Sequence, residues 1–285
     1  MAYDVDMRDV RFQLFEWLPT AKLLDNTKYS DWDMDNLAMV LDEALKIAKE
    51  QMAPTNVIGD RVGAKWNDGT VTMPEEFKPV YDLICEGGWL GMVVPPESGG
   101  MGLPEVIGTA VTEFFSGANV SLTLSIMLTR GTGMMIDNFG SDQVKQLFMD
   151  KLVTGEWAGT MCLSEPQAGS DVGASSTKAT KQDDGTYLIT GEKIFITSGD
   201  HNLTDHIVHL VLARTPGAPA GTKGLSLFVI PKIWVNEDGS MGDSNDVYCN
   251  NIEEKMGIHG SPTCSLVFGQ NNTCRGYLLG EELQG

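Results

Sequence analysis

One change of texture limits what this chain can fold into more than any other feature. Up to about residue 157 the apolar residues recur at three- and four-residue spacing; from about 159 they alternate, or run in short blocks ended by glycine. The first pattern belongs to helices and the second to strands. Residues 33–53, DMDNLAMVLDEALKIAKEQMA, place Leu37, Val40, Leu41, Leu45 and Ile47 along one face, with Asp33 or Asp35 positioned as the cap. Pro54 is expected to stop that helix. Further helices are expected near 75–86, 104–117, 119–138 and 141–152. The one at 119–138 is apolar on nearly all sides and so central and buried.

Past the switch, TYLIT and KIFIT read as two strands joined by Gly191-Glu192, a Gly-x hairpin signal. HIVHLVLAR, KGLSLFVIPKI and TCSLVFG follow as strand-like runs. The organisation expected is an arm at 1–34, an all-α domain at 35–158 and a β-rich domain at 159–279, an α+β fold. Residues 280–285, GEELQG, look like the entry to another helix.

Composition narrows the class. A net charge of −19 repels phosphate, which argues against nucleic acid or an anionic membrane as the main partner. No stretch offers the ~18 consecutive apolar residues of a membrane span, and the N-terminus lacks the apolar core of a secretory signal, so a cytoplasmic location is expected. The five cysteines, Cys85, Cys162, Cys249, Cys264 and Cys274, are odd in number and have no zinc spacing. Neither a disulfide framework nor a metal site is expected. SGGMG at 98–102 lacks the Lys-Ser or Lys-Thr of a phosphate loop and reads as a turn.

Two segments carry the candidate chemistry. In MCLSEPQAGSD, 161–171, the small residues around Gly169 let backbone N–H groups approach a ligand, and Ser164 and Ser170 add hydroxyl donors. In GEKIFITSG, 191–199, Phe195 and Thr197 are two apart on a strand and share a face. A ring and a hydroxyl side by side suit a planar heteroaromatic cofactor, although an ordinary strand beside a polar loop reads equally well from spacing alone. His206 and His209 fall on opposite faces of a strand and do not form a ligand pair; His201 and the turn residue His259 are no better placed for catalysis.

Together, MCLSEPQAGSD and GEKIFITSG resemble the paired signature of the acyl-CoA dehydrogenase family. GGWLGMVVPPESGGMGLP resembles that family's N-terminal turn region, and EEKMGIHGSPTCSLVF the end of its middle domain. The resemblance runs in order from about residue 35 to 285 and is closest to the long subgroup of 3-methylmercaptopropionyl-CoA dehydrogenases. It implies an N-terminal helical domain, a β-barrel-like middle domain and a C-terminal helical bundle, with FAD between the last two.

On this resemblance Met161, Leu163, Ser164, Gly169, Ser170, Phe195, Ile196 and Thr197 would bind the cofactor: Ser164 near the pyrimidine edge, Phe195 against the ring, Thr197 near N5. Ser170 and Thr222 would approach the acyl-CoA. Glu165 reads as structural, because it lies in the cofactor-binding turn. The family's catalytic base lies in the bundle, beyond residue 285, and no position here matches it. The implied activity is α,β-dehydrogenation of an acyl-CoA, with electrons passed to an electron-transfer flavoprotein and a homo-oligomeric assembly. An acyl-CoA oxidase shares the fold, and a non-catalytic or split subunit completed by a helical partner chain is a third reading.

Overall fold

The computed structural model describes residues 3–285. The arm contributes α1 (Met7–Arg11) and α2 (Thr20–Leu23), followed by α3 (Met34–Ile47), α4 (Ala53–Val62), the small hairpin β1 (Lys65–Asn67) and β2 (Thr70–Thr72), α5 (Phe77–Glu86), α6 (Glu105–Phe139) and α7 (Asp142–Thr154). The strands come next: β3 (Ala158–Cys162), β4 (Lys178–Lys181), β5 (Tyr187–Thr197), β6 (Ile207–Arg214), β7 (Leu225–Pro231), β8 (Ile233–Val235), β9 (Met241–Ser244), β10 (Val247–Ile252), β11 (Thr263–Phe268) and β12 (Arg275–Leu279). The change from helix to strand falls at Ala158, where the sequence pattern changes.

The main sheet runs β10-β11-β5-β12-β7-β6-β3. Strand β4 pairs with β5 along its length and with β6 through Lys178 and Arg214. That second pairing closes the ring β4-β5-β12-β7-β6, so the β region is barrel-like. Its interior is filled by residues such as Tyr187, Ile189, Val211, Phe228 and Phe268. The opposite face of the same strands, with Val208, Leu210, Leu227 and Val229, packs against Phe148, Leu152 and Trp157 of the α7 region. Strand β6 is thus buried on both faces, which is why apolar residues fill both phases of HIVHLVLAR rather than alternating. No helical bundle follows β12 within these 285 residues.

Two local expectations need correction. Pro54 does not end the first long helix. The chain widens into a π turn at Ala48–Met52 and continues as α4 with the proline in its first turn. A proline costs little there, because the N–H it lacks would have no partner in a first turn. Gly191-Glu192 is not a hairpin turn either, since β5 is one unbroken strand of 11 residues. Glycine stands at 191 because Thr177 crosses there, and a Cβ at 191 would meet the Thr177 backbone at 2.8 Å.

The helices expected at 104–117 and 119–138 are both present, as the two halves of α6 on either side of a break at Asn119 (φ −154°, ψ 89°). Arg130 Nη1 donates to Thr112 Oγ1 at 3.2 Å across 18 residues of sequence. On a straight helix those residues would lie about 27 Å apart, so the two halves fold back on each other. By length and composition alone α6 could cross a membrane, but 56% of its most apolar window is buried inside the protein. The bend at Asn119 also denies it a straight span.

Asn119 makes that bend with its side chain. Its Oδ1 accepts the Leu122 N–H at 3.1 Å, an N-cap for the second half, and its Nδ2 donates to Thr55 Oγ1 at 2.8 Å. Replacing Asn119 with alanine removes the cap and leaves Thr55 without that donor, so urea unfolding should show a loss of about 2 kcal/mol.

Candidate functional site

Strand β3 lies parallel to β6 and delivers its end, Cys162, to a turn that crosses to β5. The crossing is fixed by two bonds from neighbouring residues. The Ile194 N–H donates to Ser164 O at 2.9 Å, and Lys193 Nζ donates to Leu163 O at 3.0 Å. Both candidate segments are therefore bonded side by side, about 30 residues apart in sequence.

Beneath the crossing lies an ion pair. Lys193 and Glu165 meet at 2.8 Å with side chains that are 0% and 1% exposed. Glu165 also accepts Ser176 N at 2.7 Å, Ser176 Oγ at 2.9 Å, Thr177 N at 3.0 Å and Gln167 Nε2 at 2.7 Å. Burial alone would push this carboxyl up, but the bonds from Lys193, Thr177 and Ser176 override it and hold Glu165 well below the usual carboxylate range. The Thr177 N–H reaches Glu165 because glycine at 191 lets that segment cross β5 closely. Glu165 ties three chain segments together, and with its lone pairs engaged it cannot serve as a proton acceptor.

Above the pair the wall is apolar and open. Between β5 and β11 the register slips, so Ile194 and Phe195 together face the single residue Ser265. Phe195 takes φ +58° at this bulge, an uncommon conformation for a side chain of its bulk. The bulge turns its ring outward, 59% exposed, beside Leu163 at 39%. Thr197 lies on the same side, half-buried. Ile196 points into the barrel at 2% exposure, so any contact it makes with a ligand falls to its backbone. Met161 is half-buried against the helix-facing core rather than free on this wall.

Ser170 and Gly169 lie exposed on the turn after Glu165, and open space stands where a Gly169 Cβ would be. Thr222 belongs to a separate short turn, Thr222–Gly224. Arg214 brings the two loops together by donating to Gly173 O at 2.8 Å, Gly221 O at 3.1 Å and Pro219 O at 2.5 Å. Its guanidinium is committed to loop carbonyls.

Comparison with known proteins decides what this wall belongs to. The profile of the acyl-CoA dehydrogenase N-terminal domain matches residues 34–156, and that of the acyl-CoA dehydrogenase middle domain matches residues 160–270. The chain belongs to the acyl-CoA dehydrogenase family. It is 44% identical over 288 aligned positions to the 3-methylmercaptopropionyl-CoA dehydrogenase of Ruegeria pomeroyi, covering 100% of this chain and 48% of that protein. The butyryl-CoA dehydrogenase structure from Megasphaera elsdenii superimposes with a TM-score of 0.70 at 28% identity, covering 89% of this chain and 61% of that one. An acyl-CoA dehydrogenase complexed with FAD from Bacillus anthracis gives a TM-score of 0.70 at 26% identity, covering 90% and 39%. The chain spans about half the length of the curated relatives it matches.

For this member of the family, the residues that sequence reasoning passed over are Lys193, Ser176, Thr177 and Arg214. Lys193 had a readable signal. Tyr187 and Ile189 set an inward phase along β5, and Lys193 continues that phase as a charge in a core position. The other three act through backbone N–H groups or on carbonyls, which no sequence pattern displays.

The histidines lie away from the open wall. His201, His206 and His209 are all buried, and burial followed by the nearby Lys232 charge pushes each down to about 3. His209 Nδ1 bonds Thr160 Oγ1 at 2.7 Å, while both ring nitrogens of His206 lack a partner among the described residues. Lys232 is itself paired with buried Asp200. Because the native values lie below the ordinary value near 6.5, the unfolded chain binds protons that the native state refuses. Stability is therefore full above about pH 6.5 and is lost as pH falls toward about 3. Urea unfolding at pH 5 compared with pH 7.5 should show a loss on the order of 2 kcal/mol for each of these histidines.

Proposed function

We propose that this face is the middle-domain wall of an FAD site in an enzyme that dehydrogenates an acyl-CoA between its α and β carbons. One observation carries the reading. The two segments that resemble the family signature are bonded edge to edge, and they present an outward aromatic ring, a neighbouring hydroxyl and an unengaged backbone donor. The Ser164 N–H meets no acceptor among the described residues, and the apolar side chains of Phe195 and Leu163 are both exposed. These groups fit a flavin, whose ring is flat and apolar on its face and lined with acceptors along its pyrimidine edge.

When bound, FAD supplies an acceptor for the hydride that leaves the β-carbon. In this reading the Ser164 N–H and hydroxyl would hold the pyrimidine edge, the Thr197 hydroxyl would bond near N5, and the Phe195 ring would cover the flavin and exclude water. Donors fixed at that edge favour the charge that reduction places there, without reorganising during the reaction. Ser170 and Thr222, on the two loops fastened by Arg214, approach the thioester substrate. Glu165, the carboxylate within the candidate turn, is held by Lys193 and its backbone donors and does not accept the α-proton in this reading. An electron-transfer flavoprotein is the acceptor assigned here, and the strongly acidic surface would draw a basic docking patch toward it.

The test uses the full-length protein containing this segment. It should purify with flavin absorbance, and adding an acyl-CoA should bleach those bands. Electrons should then appear in an electron-transfer flavoprotein rather than as hydrogen peroxide. Phe195→Ala should weaken FAD binding about tenfold, the worth of an aromatic face of ~1.4 kcal/mol. Protein that folds but takes up no FAD would contradict the reading.

A further inference from the structure

The Lys193–Glu165 pair joins three segments, but joining them does not by itself call for charged side chains. Buried ion pairs rarely stabilise more than apolar side chains of similar volume would, because both charges leave water. This one is also placed with unusual care. The ammonium reaches past Glu165 to the Leu163 carbonyl at 3.0 Å, while Glu165 is locked by Ser176 and Thr177. No cis peptide bond occurs among the described residues. In a planar trans peptide the C=O and the following N–H point in opposite directions. Lys193 draws the Leu163 carbonyl into the interior, so the Ser164 N–H of the same peptide unit faces the open wall, where it is unengaged among the described residues. A cation on the carbonyl oxygen also polarises the amide and strengthens its N–H as a donor.

We propose that Lys193, held in place by Glu165, is a positioning residue that aims and polarises the Leu163–Ser164 peptide toward the flavin's pyrimidine edge, and so raises the flavin's reduction potential. This rests on the flavin reading given above. A donor made stronger in this way favours reduced flavin, whose pyrimidine edge is more negative, over oxidised flavin. Glu165 keeps the ammonium at the carbonyl and compensates its charge, so that the effect is confined to one peptide unit.

The experiment measures the midpoint potential of FAD bound to the full-length protein against a reference dye, with circular dichroism and thermal melting as checks on folding. Lys193→Met alone leaves Glu165 buried without its cation and should melt early. The double variant K193M/E165Q removes both charges together and decides the question. The double variant should fold, bind FAD and show a potential lower by about 30 mV, a tenfold loss of preference for the reduced flavin. A folded double variant with the wild-type potential would overturn the proposal while leaving the flavin reading intact. Wild-type protein that binds no FAD would overturn both.

Discussion

A buried lysine bonded to a buried glutamate holds the turn after β3 against β5. Taking both charges out of water costs about several kcal/mol per ion, and the surroundings offset that cost through four further donors to Glu165, from Ser176, Thr177 and Gln167. The result is a fixed junction among the end of β3, the segment before β4 and the middle of β5. The turn carrying Ser164 could not hold its register against β5 through backbone bonding alone, because a single N–H, that of Ile194, reaches it. Glycine at 191, the bulge at Phe195 and the two-sided burial of β6 all contribute to that junction or support it from behind.

Much of this was legible in the sequence, and the failures have physical causes. The switch from helix to strand, the cap of α3 by Asp33 and the break inside the long apolar run all follow from periodicity and composition. Pro54 misleads because proline is forbidden in a helix interior but tolerated in a first turn, and a π turn converts the one into the other. Gly191 misleads because glycine marks both tight turns and close backbone crossings. The chain segment that crosses it, around Thr177, lies 14 residues earlier in sequence, beyond the reach of a local pattern.

The candidate site shows the same division. Ser164, Phe195 and Thr197 could be picked out because ring, hydroxyl and small residues recur in an order that resembles a family signature, and the fold brings them to one wall. What holds them there was mostly silent, since Ser176, Thr177 and Arg214 contribute through amide hydrogens or bind carbonyls. Ile196 lies between two wall residues, but the strand alternation restored after the bulge sends its side chain into the barrel and leaves only its backbone toward the wall.

Amide hydrogen exchange with and without added FAD tests the central claim most directly, because it reports on this wall residue by residue. Slowed exchange is expected to be confined to 163–170 and 194–198, with the Ser164 amide among the most protected. Unchanged exchange in both segments while FAD is demonstrably bound would contradict it, because the flavin would then rest on some other surface.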